Sequence, residues 1–320
     1  MKPKAIYQLP DWTFDLIYGA PERAEIAALT EIVEPSRLSE VEIVWTGWGA
    51  PKMDAAYLEK VPNLKLVLYS AGSVRGVVTD EFWKRGVRIC SAWVANGVPV
   101  AEFTVATIIL SLKRYWQQAA NIRAKRDYSG KVNVPGAFGT TVGLCSLGVI
   151  GRMVRERLRM LDVKVIAYDP YVTQAEADKL DVRMVSLDDL FRQADVVSLH
   201  TPWLKATEGL VTGQHFASMK SGATFINTSR GAVVREAEMI SMLQQRPDLW
   251  AILDVTWPEP PATDSPLYTL PNVMLTPHIA GSMDAECRRM AQYMIGEVRR
   301  YLAGQPLQYE ITREKAAIMA

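Results

Sequence analysis

The sequence predicts an α/β protein built on doubly wound parallel sheets, and three observations carry that expectation. Short apolar runs rich in Val, Ile and Leu alternate with helix-patterned segments along most of the chain, the pattern of a parallel sheet with helices outside it. One stretch, Thr141 to Asp169, reads without interruption as strand, glycine turn, helix, strand and acid. Polar residues also stand where most apolar runs stop: Asp169, His200 with Thr201, Ser229 with Arg230, Asp254, and His278. In a parallel sheet such ends share one edge, and ligands bind along that edge.

Two domains are expected from 320 residues, since a single core rarely grows to that size. The chain is 49% hydrophobic with a net charge of +1. It has no clustered basic field, so nucleic acid is not expected as a partner. Cys90, Cys145 and Cys287 are odd in number and widely spaced, which fits a reducing cytoplasm. The N-terminus MKPKAIYQLPDW has no apolar core of signal-peptide length, and no apolar run of spanning length is read anywhere. A membrane is therefore not expected as a partner either. There is no internal repeat or low-complexity tract.

In the βαβ stretch the first strand is Val142 to Ser146, and the turn is Ser146-Leu-Gly148-Val149-Ile150-Gly151. This is the dinucleotide fingerprint with serine in place of its first glycine. Gly148 permits close approach of backbone to a pyrophosphate, Gly151 permits tight helix packing, and N–H groups at the helix start face the phosphates. Asp169 follows Gly151 by 18 residues, where an acid accepts hydrogen bonds from a ribose diol. Its charge opposes a 2′-phosphate, so NAD is expected in preference to NADP. Ser146 is the departure, because its Cβ loosens a turn that suits glycine.

Before this unit, Val41 to Thr46, Leu64 to Ser70 and Val87 to Cys90 read as buried strands, with helices at Asp54 to Glu59 and Asp80 to Lys84. The loop Ser70-Ala-Gly72-Ser73-Val74-Arg75-Gly76 is either a small anion nest or a simple glycine turn. A helix is expected to begin near Pro99. From Val98 to Leu112 it is apolar on nearly every face and is expected to be buried all round. We read it as a hinge helix and candidate subunit interface, an ordinary core helix being the alternative. After the unit, strands are expected at Val182 to Val185, Val196 to His200, Ala223 to Thr228, Ala251 to Asp254 and Val273 to Thr276.

Of three histidines, His215 reads as a surface residue and His200 as structural or adjacent to cofactor. His278, in Leu275-Thr-Pro-His278-Ile-Ala-Gly281, sits at an irregular strand end from which its ring can reach a cleft. Glu259 lies 19 residues earlier in the proline-flanked Trp257-Pro-Glu259-Pro-Pro261. A carboxylate beside His278 favours the imidazolium and suits a proton donor. Arg230 supplies a planar cation able to clamp a carboxylate and polarise the adjacent carbonyl.

The segments GLCSLGVIG, VIAYDP, SLHTP, INTSRGAVV, LDVTWPEPP and LTPHIAG resemble, in order and spacing, the NAD-dependent D-2-hydroxyacid dehydrogenases. That group includes phosphoglycerate dehydrogenases and glyoxylate/hydroxypyruvate reductases, and the resemblance covers essentially the whole chain. It implies two Rossmann-like domains: a discontinuous substrate domain, 1–101 with 284–320, and an NAD-binding domain, 102–283. It implies that Arg230 binds the substrate carboxylate and carbonyl, that His278 is the general acid/base and that Glu259 orients and charges it. Cofactor contacts are implied at Gly148, Val149, Ile150, Asp169, Thr201, Pro202, Thr207, Thr228, Arg230, Asp254, His278 and Gly281. Asp254 would lie near the nicotinamide. Substrate contacts are implied at Gly72, Ser73, Val74, Arg230 and His278, with no metal. A homodimer formed around the hinge helix is also implied.

Three departures from the family pattern stand out. Ser146 replaces a glycine, Trp257 stands where an acid is usual, and Val74-Arg75 stands where the substrate loop commonly has an acid. Arg75 would favour substrates with a second negative or polar group, and Trp48 could wall the pocket. The expected reaction is reversible hydride transfer between NAD(H) and C2 of a small D-2-hydroxy or 2-keto acid. Phosphite oxidation on the same scaffold is a second reading. An NAD-sensing scaffold like the related corepressors is a third, although those carry disordered extensions for partners and none is read here beyond a short tail, Glu310 to Ala320. Formate oxidation is disfavoured, because that branch pairs its histidine with glutamine where this chain has Glu259.

Overall fold

The computed structural model describes residues 1–319. Ala320, the last residue of the tail, lies outside the described residues. The strands in chain order are β1 Lys4–Tyr7, β2 Glu31–Ile32, β3 Ile43–Thr46, β4 Leu66–Tyr69, β5 Arg88–Ser91, β6 Thr141–Cys145, β7 Lys164–Tyr168, β8 Arg183–Met184, β9 Val196–Leu199, β10 Thr224–Asn227, β11 Trp250–Leu253, β12 Val273–Leu275 and β13 Glu310–Ile311. Two compact units result. One comprises Met1–Asn96 and the residues from Ser282 onward, and the other comprises Gly97–Gly281.

The first unit holds a six-stranded sheet in the order β13-β5-β4-β3-β1-β2. All pairs are parallel except β13 with β5. Alternation along each strand feeds two cores: Leu66 and Leu68 face one with Trp45 and Met294, while Val67 and Tyr69 face the other with Phe82 and Ile89. Two-sided burial of this kind needs the near-continuous apolar runs seen in the sequence.

The second unit holds a seven-stranded, wholly parallel sheet in the order β12-β11-β10-β9-β6-β7-β8. Along β10 and β11 the sides again alternate. Phe225, Ala251 and Leu253 pack with Phe191 and Phe216, whereas Ile226, Trp250 and Ile252 pack with Val105, Ile108 and Leu158. Strand order reverses between β6 and β9, so the loops after those two strands flank the switch point where an open α/β sheet forms its ligand crevice.

Several expectations need correction. The helix expected near Pro99 runs from Trp93 to Leu112 with Pro99 inside it, and the chain passes between units within it. It is not buried all round: Glu102, Ala106 and Ile109 are exposed along one face. By length and composition it is also apolar enough to cross a membrane, contrary to the reading that no such run exists, although over half of it is buried in the protein. His215 is not a surface residue. Its ring packs 5.0 Å from Phe191, and its Nδ1 accepts from the Thr212 N–H at 2.9 Å, capping the helix Gly213–Ser218. The tail is folded, with β13 pairing with β5 and a helix following at Arg313–Ile318.

Gly151 lies where the helix Val149–Leu158 packs on the sheet, and a Cβ there would overlap the Ser146 carbonyl. A Cβ on Gly148 would meet nothing within 4 Å. We therefore expect Gly151→Ala to lower unfolding free energy by about 1–3 kcal/mol and Gly148→Ala to change it far less, as read by urea denaturation.

Candidate active site

The phosphate turn lies between β6 and the helix Val149–Leu158. The residue strained by the turn is Ser146, at φ +80, a region that costs a side-chain-bearing residue and favours glycine. Gly148 is extended and serves as the helix N-cap without a side-chain bond. Val149 and Ile150 open the helix, so their N–H groups are among the orphan donors of its first turn. Val149 is exposed and Ile150 half-buried. The Asp169 carboxylate, at the end of β7, accepts from the Leu147 N–H at 2.8 Å and the Tyr171 N–H at 2.9 Å. It is thus held against the turn. Open space over Gly148, the N–H groups of a first helical turn and an anchored acid fit a dinucleotide.

Across the switch point, Thr201 is buried and its Oγ1 lies 2.9 Å from the Ser146 Oγ. Pro202 follows, and its carbonyl accepts from the Thr207 hydroxyl at 2.5 Å. His200 Nε2 lies 3.0 Å from Ser198 Oγ, and its buried Nδ1 has no partner among the described residues. Burial pulls its pKa from 6.5 down to about 4.

Thr228, after β10, is buried with its hydroxyl 3.0 Å from that of Thr104. Arg230 is two residues on. Its Nη1 donates to the Ser229 carbonyl at 2.6 Å. Burial pulls the guanidinium below its ordinary range, and the Glu259 carboxylate opposes that shift. Gly231 keeps this segment close to the next, since a Cβ there would overlap the Thr256 carbonyl.

Asp254, after β11, is 2% exposed. Its carboxylate accepts from the Thr276 hydroxyl at 2.6 Å, the Ile279 N–H at 2.8 Å and the Ala280 N–H at 2.9 Å. Its main-chain carbonyl accepts from the His278 N–H at 3.0 Å. Asp254 therefore holds the loop that presents His278, a role the sequence did not disclose. Thr276 was missed as its partner. His278 sits in that loop at φ +55, and its Nδ1 lies 2.7 Å from Glu259 Oε1, with the two side chains 50% and 38% exposed. The bond leaves Nε2 for another partner. A cavity of about 400 Å³ opens beside the pair, lined by Thr256, Pro260, Pro261, Tyr268, Leu275 and Pro277 among others. Gly281 ends this unit.

Trp257 is half exposed and meets Trp203 edge to face at 4.5 Å. Among the described residues no group of His, Cys, Asp or Glu is placed to hold a metal ion.

Gly72, Ser73 and Val74 belong to the other unit. Their N–H groups donate to no protein atom among the described residues, as an anion nest requires. Val74 is fully buried, main chain included, so its N–H is not open to a ligand. The Arg75 Nη2 donates to the Ala317 carbonyl at 3.1 Å. Trp48 packs against both cores of its unit.

A parallel sheet with a phosphate turn at its switch point and a histidine–carboxylate pair on the same edge defines a dinucleotide-binding domain of dehydrogenase type. Residues 105–280 match the family model "D-isomer specific 2-hydroxyacid dehydrogenase, NAD binding domain", more than half of the chain. The chain belongs to that family, and this unit is its NAD-binding domain. It is 35% identical over 258 residues to a D-3-phosphoglycerate dehydrogenase of Mycobacterium leprae, covering 80% of this chain and 48% of the relative. The chain thus spans about half the length of that relative. It is 27% identical to a hydroxypyruvate reductase of Blautia hydrogenotrophica, covering 89% of each. In fold it is similar to the D-mandelate dehydrogenase of Rhodotorula graminis, with a TM-score of 0.82, 20% identity and 98% of each chain covered.

Two outcomes are expected from this geometry. Asp254→Asn replaces an acceptor oxygen with a donor facing converging N–H groups, so it should cost about 1–3 kcal/mol and speed amide hydrogen exchange at Ile279 and Ala280. For His200, the unfolded chain takes up a proton near pH 6.5 and the folded chain only near 4. Stability should therefore fall as pH drops through that window, by up to about 1.4 kcal/mol per unit, and His200→Gln should flatten that slope in urea denaturation.

Proposed function

We propose that the protein is an NAD-dependent 2-keto acid reductase and D-2-hydroxyacid dehydrogenase acting on a small substrate. The observation that carries this reading is the His278–Glu259 bond of 2.7 Å on the same sheet edge as Arg230. NAD(H), when bound, supplies or accepts the hydride at substrate C2. In the reducing direction Glu259 holds the ring by Nδ1, and His278 donates a proton from Nε2 to the substrate oxygen as C2 gains the hydride. Arg230 uses one donor on the Ser229 carbonyl and offers the rest of its planar fork to the substrate carboxylate. Desolvation around it strengthens that attraction. Asp254 acts on the chemistry by fixing the His278 loop.

NAD is preferred to NADP in this reading, because the Asp169 carboxylate opposes a 2′-phosphate. The exposed Ile109, Tyr115 and Ile122, on the helices Trp93–Leu112 and Tyr115–Lys125, support a homodimer formed over that face. Three free, buried cysteines support a reducing, cytoplasmic setting.

With glyoxylate or hydroxypyruvate as acceptor, His278→Ala is expected to lower kcat about 10²- to 10⁴-fold while the NADH dissociation constant changes little. Turnover equal to that of the unaltered protein would remove His278 from the chemistry.

A further inference from the structure

Ser146 occupies the first fingerprint position at φ +80, where glycine would be free of strain. What the serine adds is a hydroxyl, and that hydroxyl is engaged. Ser146 Oγ lies 2.9 Å from Thr201 Oγ1, both residues being buried. Ser146 follows β6 and Thr201 follows β9, so this bond crosses the switch point of the sheet. The Thr201 carbonyl accepts from the Ser229 hydroxyl at 2.5 Å, and the Ser229 carbonyl accepts from Arg230 Nη1 at 2.6 Å. A continuous path therefore runs from the phosphate turn through Thr201 and Ser229 to the guanidinium. With glycine at 146 the path would end at Thr201, whose hydroxyl could then turn fully to the Cys145 carbonyl, 3.4 Å away.

We propose that Ser146 is a positioning residue that couples occupancy of the phosphate turn to the orientation of Arg230, so that a diphosphate on the turn tightens carboxylate binding at the guanidinium. This rests on the function proposed above. An anion on the N–H groups of Val149 and Ile150 fixes the turn. The fixed turn holds the Ser146 hydroxyl, and Thr201 and Ser229 then have one arrangement in which every bond is made. The path runs from the buried Ser146 and Thr201 to the half-buried Ser229 and Arg230, and such a network stiffens as a unit because an unmade bond at its buried end is costly. The strain at Ser146 persists because the surrounding hydrogen bonds hold the residue there.

The test uses the full chain, with oxamate as the carboxylate probe and ADP-ribose as a diphosphate that fills the turn without a nicotinamide ring. Oxamate affinity is measured by calorimetry with and without saturating ADP-ribose. For the unaltered protein we expect ADP-ribose to tighten oxamate binding at least about fivefold, the lower range of inter-site coupling. Ser146→Gly and Ser146→Ala should bring that ratio to within about twofold of unity, while ADP-ribose affinity stays within about threefold. The glycine variant, freed of its strain, should melt no lower than the unaltered protein. Thr201→Val should lose the ratio as well, Thr201→Ser should recover it relative to Val, and adding Thr201→Val to Ser146→Gly should cost nothing more.

Full coupling in Ser146→Gly would overturn the proposal and leave the enzymatic reading intact. Loss of oxamate binding only in proportion to lost ADP-ribose binding would overturn it too. Oxamate that binds the unaltered protein in neither state would overturn both readings.

Discussion

The candidate site depends on one buried carboxylate. Asp254 is almost wholly removed from water, and a carboxyl group in that position is tolerated only if its oxygens are satisfied. They are satisfied by the loop that carries His278. The cost of burying the carboxyl group is thereby converted into a constraint on the backbone from Thr276 to Ala280. That constraint accounts for a histidine in the left-handed region, where a β-carbon is disfavoured, and it leaves the ring where Glu259 can hold its Nδ1.

A second constraint sits at the other side of the switch point. Gly151 admits no side chain because the Ser146 carbonyl occupies the space, and Ser146 in turn carries a positive φ. The turn is thus fixed by two neighbouring requirements, one for absence of a side chain and one for a conformation most residues avoid. Asp169 adds a third hold through the Leu147 N–H. Rigid presentation of backbone donors is what binding of a diphosphate requires, since flexible donors would lose entropy on capture.

Much of this was legible in the sequence because the signals are local or periodic. The βαβ unit, the five later strands and the polar residues at their ends follow from alternation and from where apolar runs stop. Glu259 and His278 were paired from their proline-flanked segments and acid/base chemistry, with their roles implied by the resemblance, but their distance is a matter of tertiary geometry. What was not legible has physical causes. The helix containing Pro99 starts six residues early, so Pro99 lies in its second turn, where proline costs a main-chain hydrogen bond and tertiary packing overrides the local signal. β13 was missed because a two-residue edge strand has no periodicity to read, and its pairing partner lies far away in sequence. His215 was taken as exposed because a capping histidine and a surface histidine have the same local pattern. The role of Asp254 in holding a loop 22 to 26 residues away left no trace in spacing at all.

The central claim is that these strand ends form a site for hydride transfer to a 2-keto acid. The direct measurement is NADH consumption by the unaltered protein across glyoxylate, hydroxypyruvate, pyruvate, oxaloacetate and longer branched and aromatic 2-keto acids, with the configuration at C2 of the product determined. The account predicts turnover of at least one of them to the D-2-hydroxy acid, one product for each NADH consumed. Tight NADH binding with no oxidation by any member of the panel would contradict it.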